Sequence, residues 1–258
     1  MAKQYKGIDI SLYDGEPDFE KVQNAGIDFV IIKASQGRTP SYANHFADPM
    51  FVKNIKSFAK TKGKFYAGTY HYMTSKTVAD AIKEAKFYIK TISPYREYIQ
   101  LWAAVDVEEA YYKTLGKSLV TQIVKAFCDT VKAAGFRPMV YSTKYWTQTY
   151  FSLPEGVPFW QALWTDSNKF PAGARVWQKG SAAVDGVRNG APKTDYDLAY
   201  GIMGDANGDG EVNAKDVTAA MKHIINPKKY LINESQMDFD RDGKVTAKDV
   251  TALMKAIM

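Results

Sequence analysis

Hydrophobic and polar positions change period several times along the chain, and the changes mark its elements. Residues 29–35 form a nearly continuous apolar run, opened by Phe29, Val30, Ile31 and Ile32, of the kind a strand buried on both faces requires. Shorter or mixed runs at 7–11, 65–72, 101–107, 138–142, 159–164 and 174–178 predict further strands. Between them lie stretches with helical spacing. Residues 50–62 put Phe51, Ile55, Phe58 and Ala59 on one side, 78–92 is a second amphipathic helix, and 117–134 is a third that stops at Gly135. Little between the last strands is long enough for a helix. Alternation of parallel-type strands with helices over about 200 residues predicts an α/β fold, a closed and modified β/α barrel whose helices are reduced in its last third.

The run at 101–107 ends abruptly in acids. Residues two apart on a strand share a face, so Asp106 and Glu108 should project the same way at its carboxyl end. Two carboxyls so placed cannot both ionise freely, and the one in the drier environment is raised toward the range of a general acid. A solvated acidic turn is the plainer reading of this segment alone. Barrel enzymes work from the carboxyl ends of their strands, however, and there Asp9 would share a mouth with Asp106 and Glu108.

Composition narrows the class. The chain is long enough, at 258 residues, for one full-sized core and a small second unit. Its 17 Tyr, 13 Phe and 5 Trp exceed what such a core needs, and stacking on sugar rings is one use for the surplus. Residues 1–203 carry 26 basic against 19 acidic side chains and the remainder 8 against 9, so a mildly basic body precedes an acidic tail. That balance suits an anionic polymer, while no zinc-finger spacing, basic helix or RNA-binding motif points to nucleic acid. Cys128 is single, sits in a helical pattern and reads as a small buried hydrophobe. No apolar run reaches membrane-spanning length, and residues 1–5 hold no apolar targeting segment, which leaves retention in the cell and removal of an export signal equally open.

Six ordered motifs resemble a known family. They are residues 7–11, residues 28–37, Tyr70-His71-Tyr72, Asp106-Val107-Glu108, Trp177-Gln178 and Thr194-Asp195-Tyr196-Asp197. Together they are similar to glycoside hydrolase family 25, the Chalaropsis-type lysozymes or N-acetylmuramidases, over about residues 5 to 200. The resemblance implies hydrolysis of the β-1,4 bond between N-acetylmuramic acid and N-acetylglucosamine in peptidoglycan, with Glu108 as general acid and Asp106, Asp9 and Asp195 as the other acids of the site. It implies no cofactor for catalysis. The family typically reads Asp-x-Asn where this chain has Asp195 and Asp197, and often Glu where Gln36 stands. Asp195 is the favoured counterpart, with Asp197 as a structural or strand-end charge. Tyr70, Tyr72, Tyr141, Trp164 and Trp177 are candidates to line the sugar groove, with core packing as the alternative use of each. His71 is out of phase with its tyrosine neighbours and reads as a hydrogen-bonded structural residue. An inactive carbohydrate-binding barrel and a glycosidase on another N-acetylated polysaccharide are the competing functions.

From Gly204 the chain repeats itself. The twelve residues from Asp205 to Asp216 return 33 positions later from Asp238 to Asp249. Each repeat has the spacing of a calcium loop. Asp205, Asn207, Asp209 and Asp216 in the first, and Asp238, Asp240, Asp242 and Asp249 in the second, supply side-chain oxygens, while Glu211 and Lys244 supply backbone carbonyls. Position twelve is Asp rather than the usual Glu, and helices at 217–225 and 250–258 follow the loops with none convincing before them. This pattern resembles a type I-like dockerin, a small all-α module over 204–258 that follows a catalytic barrel over 1–203. The resemblance implies two bound Ca2+, a cohesin domain of a cellulosome scaffold as partner, Ala214, Lys215, Ala247 and Lys248 as contact residues, and a secreted or cell-surface monomer.

Overall fold

The computed structural model describes residues 4–37, 45–61, 63, 65–187, 193–207, 211–240 and 242–258. Asp209, singled out above, lies outside them. The strands are β1 (Gln4–Ile10), β2 (Phe29–Gln36), β3 (Phe46–Ala47), β4 (Tyr66–Tyr72), β5 (Ala103–Asp106), β6 (Pro138–Thr143), β7 (Phe159–Ala162), β8 (Val176–Ala182) and β9 (Thr194–Tyr200). All but β3 close into an eight-stranded barrel, in which β1 pairs with both β2 and β9. Neighbours are parallel from β1 round to β8.

The last strand departs from the parallel pattern. β9 runs antiparallel to both β8 and β1, and residues 194–197 belong to a strand that periodicity did not reveal. Parallel pairing needs a crossover of about a dozen residues or more, usually through a helix. Residues 183–193 are too few to make one, so the chain turns back beside β8 and seals the barrel.

The helices are α1 (Phe19–Asn24), α2 (Phe51–Phe58), α3 (Val78–Ile92), α4 (Lys117–Ala133), α5 (Lys144–Thr149), α6 (Ala214–Ile225), α7 (Glu234–Met237) and α8 (Ala247–Ile257). Strand alternation divides the apolar residues into two sets. Ile8, Ile10, Val30, Ile32 and Ala34 face outward onto Phe19, Phe51, Ile55, Phe58 and the inner stripes of α3 and α4. Tyr5, Phe29, Ile31, Tyr66, Trp102, Ala104, Met139, Trp160 and Val176 fill the interior. Gly7 belongs to this inner set, where a Cβ would lie 2.2 Å from the Phe29 ring, so only glycine fits. Cys128 is buried on α4.

The tail closes the amino-terminal end of the barrel. Ile202, Met203, Ala206, Met237, Phe239 and Leu253 join the same apolar cluster as Trp102 and Met139. Tyr66 donates its hydroxyl to the Phe239 carbonyl at 2.9 Å, Gln236 Nε2 donates to the Gln100 carbonyl, and Arg137 Nη2 donates to Asp205 Oδ2 at 3.2 Å. Burial pushes the Arg137 guanidinium down to about 10 while Asp205 pulls it back, so it remains a cation. Both long tail helices start three residues earlier than periodicity suggests. Asn213 and Thr246 cap them, and Asp216 and Asp249 complete the capping boxes, so each position-twelve aspartate also begins a helix. The short α7 precedes the second loop, where no helix was expected.

Candidate active site

The acids meet at the other end. Asp9 closes β1 and is the register partner of Asp195, which opens β9. Gln178 of β8 bridges them, its Nε2 donating to Asp9 Oδ2 at 3.0 Å and lying 3.4 Å from Asp195 Oδ2. Its Oε1 accepts from the Tyr141 hydroxyl at 2.9 Å and from Trp164 Nε1 at 3.1 Å. One side chain thus ties β1, β6, β8, β9 and the segment after β7 together at the rim.

Asp106 ends β5 beside Tyr72 and Tyr141. Backbone pairing continues one residue further, since Val107 N donates to the Tyr141 carbonyl at 3.0 Å and Ser142 Oγ to the Val107 carbonyl at 2.8 Å. This extension keeps Glu108 in phase with Asp106, so the i, i+2 expectation survives beyond the strand's end. Asp106 is buried, and its Oδ1 has no hydrogen-bond partner among the described residues. Glu108 stands exposed above it.

Charge is concentrated here. Burial, then the neighbouring Glu108, raises the Asp106 carboxyl well above its ordinary range, against the opposing pull of Lys33. Glu108 is raised by desolvation, with Lys33 again opposing and Asp195 and Glu109 adding to the rise. Asp9 is raised well above the ordinary range by burial, then by Asp197 and Asp195. Asp195 is pushed up only to about 6, by burial and then Asp14. Asp195 is therefore largely an anion at neutral pH. Asp197 lies one inward step below Asp195, fully buried, and accepts from Trp160 Nε1 at 2.8 Å.

The aromatic candidates divide. Tyr70, Tyr72 and Tyr141 are partly buried around the acids, and Trp164 is 59% exposed at the rim. Trp177 is a correction. It is wholly buried on the outer face of β8, where it donates to the Leu163 carbonyl and packs on Phe170. Gln178 occupies the inward phase, so its neighbour Trp177 must face away. Gln178 and Lys33 were missed as site residues although both fall inside the motifs quoted above. Their signal was phase, because each shares the inward face of its strand with residues that line the interior. His71 is buried between Ser35 and Glu84, as its phase suggested.

The second tail loop gathers three carboxylates. Oxygens of Asp238, Asp240 and Asp242 lie within 4.8 Å of one another, a donor set that suits a hard cation. In the first loop Asp205 is held by Arg137, and the Asp216 carboxylate accepts from Asn207 N and Asn213 N. Asp249 likewise accepts from Phe239 N and Thr246 N. Glu211 and Lys244 are exposed, as are Ala214, Lys215, Ala247 and Lys248 at the first turns of α6 and α8.

Comparisons with known proteins fit this geometry. Residues 8–185 match the model of glycosyl hydrolases family 25, and residues 203–258 match that of the dockerin type I domain. The chain is 31% identical over 160 residues to the autolytic lysozyme of Clostridium acetobutylicum, covering 61% of this chain and 44% of that protein. It is 29% identical over 182 residues to an N,O-diacetylmuramidase of Arthroderma benhamiae, covering 67% and 73%. It therefore spans less than half the length of the clostridial relative. The fold is similar to that of the modular autolysin LytC from Streptococcus pneumoniae, solved in complex with a synthetic peptidoglycan ligand, with a TM-score of 0.63 at 24% identity over 76% of this chain and 47% of that one. The Clostridium perfringens spore cortex lytic enzyme SleM gives 0.64 at 20% identity over 76% and 67%. With a family model matched across well over half of its residues, this chain belongs to the glycosyl hydrolases of family 25.

Proposed function

We propose that the barrel is a muramidase that cleaves the β-1,4 bond between N-acetylmuramic acid and N-acetylglucosamine in peptidoglycan. The observation that carries this reading is the meeting of Asp9, Asp106, Glu108 and Asp195 at one rim. Breaking a glycosidic bond needs a proton for the leaving oxygen and negative charge beneath the cationic anomeric centre. Glu108 supplies the proton, because it is the member of its pair that stands at the surface. Asp195 supplies the charge, because it is ionised at neutral pH. Asp9 and Gln178 hold Asp195 in place, and Tyr70, Tyr72, Tyr141 and Trp164 give the sugars apolar faces to lie on.

The tail is the anchor. Asp205, Asn207, Asp209, Asp216 and the Glu211 carbonyl would hold one Ca2+, and Asp238, Asp240, Asp242, Asp249 and the Lys244 carbonyl a second. The exposed Ala214, Lys215, Ala247 and Lys248 are the contact residues for a cohesin domain, which places the enzyme on a scaffold outside the cell. Calcium supplies the loops with a fixed shape, and the chain's own residues supply the docking surface.

Wild-type protein should lower the turbidity of purified bacterial walls and release new N-acetylmuramic acid reducing ends, identified by mass spectrometry. Glu108→Gln should lose a hundredfold or more of that rate, about the contribution of a general acid. An unchanged rate in Glu108→Gln, or N-acetylglucosamine at the new ends, rejects the reading.

A further inference from the structure

The two tail loops meet the barrel unequally. Asp205, position one of the first loop, is 2% exposed, and Arg137 Nη2 donates to its Oδ2 at 3.2 Å. Arg137 is built into the barrel wall: its carbonyl accepts from Ala103 N at 2.8 Å, and its guanidinium lies 5.5 Å from the centre of the Trp102 ring. A second guanidinium stands close by. Arg175, just ahead of β8, lines one cleft together with Glu211, position seven of the same loop, and its Nη1 lies 2.7 Å from where a Cβ on Gly201 would stand.

The second loop is tied within itself. Asp238 is half-buried, its Oδ1 accepting from Asp242 N at 3.0 Å and its Oδ2 from Gly243 N at 2.9 Å. The barrel group that reaches this loop is neutral, the Tyr66 hydroxyl on the Phe239 carbonyl, and among the described residues no barrel cation pairs with Asp238, Asp240, Asp242 or Asp249. Lys244 and Lys248 of the second loop, like Lys215 of the first, are exposed, so water screens them. Position three widens the difference, since Asn207 is neutral where Asp240 is charged. At positions one, three, five and twelve the first loop thus offers three carboxylates, one of them already paired with Arg137, and the second loop offers four. The affinity of such a loop for a divalent cation follows the charge and rigidity of its ligands.

We infer that Arg137, backed by Arg175, sets the calcium affinity of the first loop: the guanidinium is the counter-charge of Asp205 before calcium binds and opposes the ion when it arrives, so two loops of similar sequence fill in order, the second before the first. The inference rests on the calcium-binding reading of the tail and not on the muramidase reading of the barrel. Without an ion, the carboxylates of a calcium loop repel one another. Here the barrel relieves that repulsion in one loop and leaves it in the other.

Calorimetric titration of the full-length, chelator-stripped protein with Ca2+ is the test. Wild type should show two steps about tenfold or more apart in Kd, and the double variant Asp240→Ala with Asp242→Ala should lose the tighter one. In Arg137→Met the weaker step should tighten about tenfold while the tighter step stays in place. Arg137→Lys keeps the charge and should leave both steps where they are. Arg175→Met should move the weaker step in the same direction by less, and it decides the matter if circular dichroism shows that Arg137→Met has not folded. Two steps of equal affinity, loss of the weaker step in the double variant, or a weaker step that stays in place in every folded arginine-to-methionine variant each overturn the proposal while the calcium reading stands. A chain that takes up no calcium overturns the calcium reading and the proposal with it.

Discussion

Asp197 shows what one buried carboxyl does to the stability of this barrel. It is fully buried beside Asp9, bonded to Trp160, and desolvation pushes it up to about 7, above the ordinary 3.8 that an unfolded chain keeps. Between those values the folded state binds the extra proton, so stability is full below about pH 4 and declines as pH rises toward 7. Asp197→Asn keeps an oxygen for the Trp160 N–H and offers Asp9 a donor. Scanning calorimetry should find this variant more stable than wild type by about 1 kcal/mol or more at pH 8 and little different at pH 4. The same gain at both values would mean that ionisation is not the cause. The family's usual asparagine at this motif agrees with that expectation. At this scale the sequence displayed Asp106 and Glu108 plainly, because they end an apolar run, and Asp9 by its place on a short first strand, whereas Asp195 was reached only through the family resemblance. It hid Lys33 and Gln178, since neither residue type flags chemistry unless strand phase is followed through to the rim. Trp177 was misplaced for the same reason, being assigned by its ring and not by its phase.

Among the elements, α3 decides how the rim is held. Its Glu84 is buried to 1% exposure and accepts from His71 Nε2 at 2.9 Å, from Thr74 N at 2.8 Å and from the Ser75 hydroxyl. Burial would raise this carboxyl, yet hydrogen bonds led by that from His71 hold it below its ordinary value. Burial likewise lowers His71, so a neutral ring donates to Glu84 and accepts from Ser35 at 2.8 Å. The network fixes the segment after β4, whose Met73 N reaches the Asp106 carbonyl at 3.0 Å and whose Thr74 carbonyl accepts from Tyr111. Glu84→Ala strands these three donors in a dry layer and should cost about 3 kcal/mol by urea unfolding, with His71→Ala in the same background adding less than it does alone. Full additivity would show that the two do not act together. Helix α3 was legible from its amphipathic spacing to the residue, and α4 within one. The short α1, α5 and the antiparallel β9 were not, because a single turn or a strand with polar residues inside carries no dependable period.

For the molecule as a whole, the decisive feature is that barrel and tail share one apolar cluster. Sequence showed the repeat but not which end of the barrel the tail would meet. On the proposed reading calcium binds the folded loops and not the unfolded chain, so it should raise the temperature at which tryptophan fluorescence reports barrel unfolding. Arg137→Met removes the ion pair that ties the barrel to Asp205 and should lower that temperature. A barrel transition indifferent to chelator would show that the two parts melt separately. Gly204 sits at the joint with φ +106°, and a Cβ there would strike Leu253 at 2.5 Å, so the hand-over from strand to tail has little room to rearrange.

The tail covers the amino-terminal ends of the strands and the acids crown their carboxyl ends, about 20 Å away by strand length. On the proposed function, tethering and cutting fall at opposite poles of the molecule. A muramidase gripped by that base would present its acids away from whatever holds it.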